Sequence, residues 1–414
     1  MTEELETALR RTLKDAAERA PKAPPGIGLE PRRRRAARGY SKVALTAAAV
    51  AVAIGGATVG GRTLLHGSPS GSSTPPATGT PTVTGHPSPA LHPLKKTKVP
   101  PIDSVWPKVA HRVPRTLPNG LKYAPKAFID DHTVLVSTDV SFEKAGALYS
   151  YDLRTHAAKQ ITQVVTPPQT KRFAWDFTTG SGYAAWSLAG DYGTEIWAAP
   201  LSGGPARLVS RAKTAPPSRL VIDGADAVWS VSGTGGVYRA PLAGGGTTRE
   251  VPGSRSMYIL SWPWIGSPDA FQRPGRQEDS VGITAFAHVK NVLTGQTLSA
   301  HLTDRAVWTC GLTWCVGGGP NFVTEAQRRD GSGRRAIPPG EPMSVIPPIL
   351  DRFLIALPLG GTIAVYDLRT GRMGDLQIPS GKGGAGLVSP LGPTNRLYYT
   401  TTNGGYVIVD LGAI

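Results

Sequence analysis

Residues 148–156 read LYSYDLRTH and residues 363–371 read IAVYDLRTG, so the string YDLRT occurs twice, 215 residues apart. Looser copies lie between them: IWAAPLSGG at 196–204, VYRAPLAGG at 237–245 and AHVKNVLTG at 287–295. EAQRRDGSG at 325–333 keeps the turn without the leucine, and YVIVDLGAI at 406–414 is a seventh copy. Each is a run of alternating apolar residues, a polar turn rich in Gly, Thr, Ser and Asp, and a second short run. That is the pattern of a β-hairpin. Copies recur at about 36–50 residues, the length of a four-stranded propeller blade. The spacing predicts an all-β fold, a seven-bladed β-propeller over 112–414.

Blade two is expected as strands 172–177, 183–188, 195–200 and 206–209, and blade three as 219–222, 227–231, 236–240 and 248–251. Blade six falls on 353–357, 362–368 and 375–378. The last blade has 397–401 and 406–411 and lacks a fourth strand. An N-terminal strand within 112–124 can supply it and close the ring, which removes the exposed edges of an open sheet.

The 414 residues include 50 Gly and 38 Pro, about a fifth of the chain, and 18% charged residues. Net charge is +16, unevenly placed: residues 1–42 hold 11 Lys/Arg against 6 Asp/Glu, and 62–100 hold 4 basic residues and no acid. That leaves 30 basic against 23 acidic residues for 101–414. The basicity belongs to the N-terminal third, which argues against nucleic acid as a partner of the folded domain and for a cluster flanking a membrane.

Residues 3–20 predict a helix with Leu5, Leu9 and Leu13 on one stripe, and Thr2 as its N-cap. This helix is either a solvated tail or a docking site for a cytoplasmic partner. After PRRRRAARGYSK (31–42), the 19 uncharged residues 43–61 match one membrane crossing at about 1.5 Å per residue. The basic flank places the N-terminus in the cytoplasm. The competing reading is a cleaved signal peptide, with an n-region 42 residues long and no small-x-small site after the apolar run. Residues 62–111 read as a Pro/Ser/Thr-rich stalk. Its segment 68–100 carries eight prolines and would reach on the order of 100 Å when extended.

Cys310 and Cys315 are the only cysteines, too few for a zinc site. They read as a disulfide clasping two strands of blade five, which requires an oxidising compartment. Nucleophile-elbow, zinc-protease, phosphate-loop and calcium-loop motifs are absent. Of the five histidines from 101 onward, His156 replaces the Gly of its sister turn and His288 lies in a strand. No catalytic residue, metal or cofactor is therefore assigned.

Binding is the better expectation. Two b–c loops exceed a minimal hairpin: 139–144, offering Phe142, and 267–280, offering Phe271, Arg273 and Arg276. With Tyr192 and Trp264 these form the candidate ligand-binding rim. Trp175, Trp186, Trp197 and Trp229 sit at strand positions and are expected to pack between blades.

The repeats resemble those of tryptophan–aspartate and TolB-type β-propellers, and YDLRTG resembles the hairpin between the third and fourth strands of such blades. The full plan is similar to single-pass membrane proteins of high-GC Gram-positive bacteria, in which an Arg-rich head precedes an Ala-rich helix, a stalk and a propeller. The tryptophan–aspartate dipeptide occurs here at Trp175-Asp176, in a first strand, so the family's structural tetrad is missing. The resemblance implies a membrane-anchored extracytoplasmic module that binds a protein, a peptide or a cell-wall polymer. Two alternatives stand beside it. One is a propeller lyase or hydrolase. The other is a membrane regulator whose head binds a sigma-factor-like partner, although 1–42 has no zinc-binding anti-sigma motif.

Overall fold

The computed structural model describes residues 98–414 except 142–143, 165–172, 191–192, 213–216, 268–284, 303–307, 319–323, 338–339, 343–346, 359–361, 380–395 and 402–404. The expected helix 3–20, the span 43–61 and most of the stalk lie outside these residues. Among the described residues no helix is long and apolar enough to cross a membrane.

A four-residue helix, α1 (Ile102–Val105), precedes strand β1 (Ala110–Pro114). Six four-stranded antiparallel sheets follow in chain order. Blade 1 holds β2 (Tyr123–Phe128), β3 (Thr133–Ser141), β4 (Lys144–Asp152) and β5 (Ala158–Gln163). Blade 2 holds β6 (Phe173–Gly180), β7 (Tyr183–Gly190), β8 (Gly193–Pro200) and β9 (Arg207–Ala212). Blade 3 holds β10 (Pro217–Asp223), β11 (Asp226–Val231), β12 (Val237–Pro241) and β13 (Arg249–Glu250). Blade 4 holds β14 (Tyr258–Ser261), β15 (Trp264–Ser267), β16 (His288–Asn291) and β17 (Thr297–Ser299). Blade 5 holds β18 (Trp308–Cys310), β19 (Trp314–Gly318), β20 (Thr324–Arg328) and β21 (Arg335–Ala336). Blade 6 holds β22 (Gly340–Pro342), β23 (Phe353–Pro358), β24 (Thr362–Asp367) and β25 (Met373–Pro379).

The chain ends in β26 (Leu397–Thr401) and β27 (Gly405–Asp410). β1 joins them as the third strand of the last sheet, with Ala110 opposite Val409 and Pro114 opposite Gly405. The expectation of seven blades, the last completed by an N-terminal strand, is thus corrected to six four-stranded blades and one three-stranded sheet among the described residues. The N-terminal closing strand exists, but two residues earlier than expected. The folded unit also starts earlier than 112, because Ile102, Val105, Trp106 and Val109 are buried against blade 6 and β27. The predicted stalk therefore ends before these residues.

The repeat has a hydrogen-bond basis. Asp152 accepts from the N–H groups of Arg154 and Thr155 at 2.8 Å each. Asp367 accepts from the Arg369 N–H at 2.8 Å and the Thr370 hydroxyl at 2.7 Å. Asn291 does the same for Leu293 and Thr294. The Asp of YDLRT is thus a turn-forming side chain that stops the third strand. The turn then needs a left-handed residue, which is Gly371 (φ 72°) in one copy and His156 (φ 61°) in the other. A further bond ties each third strand to the preceding hairpin turn, as in Leu153 N–H to His132 O, Leu368 N–H to Arg352 O and Leu411 N–H to Arg396 O. In the last two cases the same Arg also pairs with the turn carboxylate: Arg352 with Asp367 at 2.7 Å and Arg396 with Asp410 at 3.4 Å.

The core is divided into layers between neighbouring sheets. On β3, Val134 and Val136 face β1 and β27, while Leu135 joins Trp186 and Leu188 of blade 2. On β27, Tyr406 and Ile408 face blade 1, while Val407 and Val409 face blade 6. Both faces of each sheet are buried, which explains the short continuous apolar runs. The last sheet therefore packs on blades 6 and 1 and closes the ring. Arg396 spans this seam, donating to the Asp130 carbonyl at 2.6 Å and the Asp131 carboxylate at 3.2 Å, with its guanidinium 4.6 Å from the Phe128 ring centroid.

Candidate functional site

The first strands of consecutive blades approach one another at the centre: β2 lies by β6, β6 by β10 and β10 by β14. All four are irregular. The register slips between Pro125 and Ala127, Trp175 and Thr178, Pro217 and Arg219, and Ile259 and Ser261. The extra residues are Lys126, Asp176 with Phe177, Ser218 and Leu260. A bulge bends its strand and re-aims the side chains there, so four neighbouring bulges give this arc of the ring a surface that regular strands would not.

Trp175 is 37% exposed, one of three large apolar side chains with that much exposure among the described residues. Beside it, Lys126 Nζ lies 5.2 Å from the Phe177 ring centroid, and Phe177 stacks on the fully buried Trp186 at 6.4 Å. Ser218 shares a 2.8 Å hydrogen bond with Ser230.

Asp176 is the unusual acid of the arc. Its backbone is left-handed (φ 51°), a conformation that costs a non-glycine residue about 1 kcal/mol or more and persists where the surroundings fix it. Its Oδ2 is buried and has no hydrogen-bond partner. Burial pushes the carboxyl up to about 7, against the attraction of Arg219 and a hydrogen bond from the Leu220 N–H. Arg219 is itself buried, and its Nη1 donates to the carbonyls of Ile259 at 2.9 Å and Leu260 at 3.0 Å. One polar chain therefore links the first strands of blades 2, 3 and 4. An acid raised in the folded state holds its proton longer than in the unfolded chain. Its contribution to stability is greatest below the ordinary aspartate value of 3.8 and declines as pH rises to about 7.

Of the candidate rim residues, Phe142, Tyr192, Phe271, Arg273 and Arg276 lie outside the described residues. Trp264 opens β15 and is partly buried against the cluster of Tyr258, Leu260, Phe286 and Val289. The 139–144 loop is shorter than expected, since β3 runs to Ser141 and β4 starts at Lys144. Trp186 and Trp229 are buried between blades as expected, and Trp197 packs on such a layer. Trp175 departs from that expectation: it is exposed, at the edge of the β6 register slip. Its sequence signal was the Trp-Asp dipeptide in a first strand, where the repeat gives no reason for either residue.

Cys310 and Cys315 form the disulfide, directly opposite each other on β18 and β19. Among the described residues no three His, Cys, Asp or Glu side chains come together as metal ligands. His288 is exposed and bonds Ser299 at 3.0 Å.

No known sequence family matches the chain, and no curated protein is similar to it. Solved structures resemble the chain at low identity. YCF48 bound to D1 peptide is 10% identical, with 76% of this chain and 99% of that one covered and a TM-score of 0.45. The WD40 β-propeller domain of Doa1 is 10% identical over 72% of this chain and 94% of that one, at 0.38. A prolyl endopeptidase is 12% identical over 69% of this chain and 46% of that one, at 0.44. These likenesses are of fold alone, and the chain is a β-propeller on the evidence of its own strand pairing.

Proposed function

We propose that this chain is a non-catalytic binding or scaffold module, a β-propeller anchored by residues 43–61 and held outside the cytoplasmic membrane. Its ligand is a protein, a peptide or a wall polymer. The observation that carries the binding reading is the arc of bulged first strands with Trp175 exposed among them. Exposed aromatic side chains on a rigid frame are the usual anchors of recognition. The loop residues Phe142, Tyr192, Phe271, Arg273 and Arg276 belong to the proposal as a second contact set.

A peptide library displayed on phage and panned on the full-length chain tests this reading. Enriched peptides are expected to bind Trp175→Ala at least tenfold more weakly, since losing an aromatic anchor costs about 2 kcal/mol. The melting temperature should be unchanged. Failure to enrich any peptide, or equal binding by the variant, overturns the assignment of a peptide-binding surface to Trp175.

The location is supported by the disulfide, which persists in oxidising compartments, and by the basic residues before 43–61. Unreduced peptide mapping of protein taken from its native compartment is expected to give the 310–315 peptide two hydrogens light. Two free thiols there would refute the extracytoplasmic placement.

A further inference from the structure

Asp176 joins three features that have separate causes: a bulge with a left-handed backbone, a buried oxygen without a partner, and a hydrogen bond across to the next blade. The residue before it is the exposed Trp175. As a neutral acid, Asp176 needs no counter-charge and gains an O–H that can donate within the bulge. As a carboxylate it needs one, and Arg219 is the cation acting on it. That guanidinium already donates to the carbonyls of Ile259 and Leu260. Ionisation therefore loads an arginine whose Nη1 is already fixed on blade 4, and the pull is felt at a backbone position held only by its surroundings.

Other ionisable groups on the elements packed against β6 are few. β2 brings Lys126, whose ammonium lies over Phe177, and Tyr123, whose hydroxyl donates to the Pro114 carbonyl. β10 also carries Asp223, at the end away from the bulge and opposite Asp226. β7 carries Tyr183, paired with Gly180 at the far end of β6. β4 carries Tyr149, Tyr151 and Asp152, none of which acts on the Asp176 carboxyl; its first residue, Lys144, has no described side chain.

We propose that protonation of Asp176 switches the presentation of Trp175, so that ligand capture at the centre of the ring is gated by pH. This rests on the binding reading above and names the regulation of that same surface. Uptake of a proton closes the carboxyl into the bulge, and its release draws the carboxylate toward Arg219.

The test uses full-length protein carrying 5-fluorotryptophan, with the Trp175 resonance identified by its loss in Trp175→Phe. Between pH 5 and 9 that resonance is expected to shift with a single midpoint in the wild type and to stay fixed in Asp176→Asn. A resonance that does not titrate, or that titrates equally in Asp176→Asn, overturns the switch. Should Asp176→Asn not fold, wild-type protein with carboxyl-labelled aspartate gives the same answer. An Asp176 signal moving in step with Trp175 supports the proposal, and one moving independently sinks it. The readout needs no ligand, so a failure of peptide capture and a failure of the switch are distinguished.

Discussion

Deleting residues 101–114 is expected to prevent the chain from folding to a stable monomer. The deletion removes β1 from the last sheet and takes five buried side chains, Ile102, Val105, Trp106, Val109 and Val113, out of the two layers that flank it. At about 1.5–3 kcal/mol for each buried side chain, the loss is about 10 kcal/mol, comparable with the whole stability of an ordinary domain. It also bares the edge of β27, whose free N–H and C=O groups would pair with another molecule. Size-exclusion chromatography should show aggregates, and urea unfolding should lose its cooperative step. A monomer with the wild-type midpoint would mean that the ring does not depend on its N-terminal strand. Trp106→Ala is the milder version, with an expected loss of about 3–5 kcal/mol.

The second large effect is expected at Arg329. This side chain is 5% exposed and donates to Gly311 O at 3.1 Å, Ala287 O at 2.9 Å and Phe286 O at 3.0 Å. It therefore ties the end of β20 to the β18–β19 turn of its own blade and to the residues just ahead of β16 in blade 4. Burial pulls its guanidinium down to about 10, with Asp351 acting the other way, so it remains a cation at neutral pH. Arg329→Met keeps the bulk and takes the donor from the buried Gly311 and Phe286 carbonyls, while the Ala287 carbonyl keeps only the Ala300 N–H. The expected cost is about 3–5 kcal/mol, read as a lower urea midpoint with an unchanged slope. A loss below about 1 kcal/mol would show that water replaces the guanidinium. Arg329→Lys should recover only part, since an ammonium lacks the planar fork that reaches three acceptors.

The sequence made the hairpins legible because their cause is local. The Asp of YDLRT builds its turn with residues two and three positions on, so the copy at 148–156 and the copy at 363–371 fold alike and read alike. Strands of blades 2, 3 and 6 fall within two or three residues of their expected bounds for the same reason. Arg329, by contrast, looked like one basic residue in RRDGSGRR, because its three acceptors come from 286–311. The bulges were hidden too: a slipped register is a property of two strands, and neither Lys126 nor Ser218 announces it. Trp175-Asp176 was visible as a dipeptide, but its meaning depended on Arg219 in the next blade. The loops chosen for their aromatic and Arg content were read from composition, and their residues lie mostly outside those described.

The way the chain enters the ring has a mechanical consequence. Just ahead of α1, the Asp375 N–H bonds the Pro100 carbonyl, and Pro101 bridges to Asp375 beside β25. Arg372 also bonds the Val105 carbonyl, and its guanidinium lies over the Trp106 ring. A pull on the chain from the N-terminal side therefore meets blade 6 before it meets β1. The load enters a complete four-stranded sheet, and the strand that shuts the ring is shielded from tension behind it. A tether joined directly to β1 would unzip the ring from its weakest seam, whereas here residues 100–106 act as a strain relief.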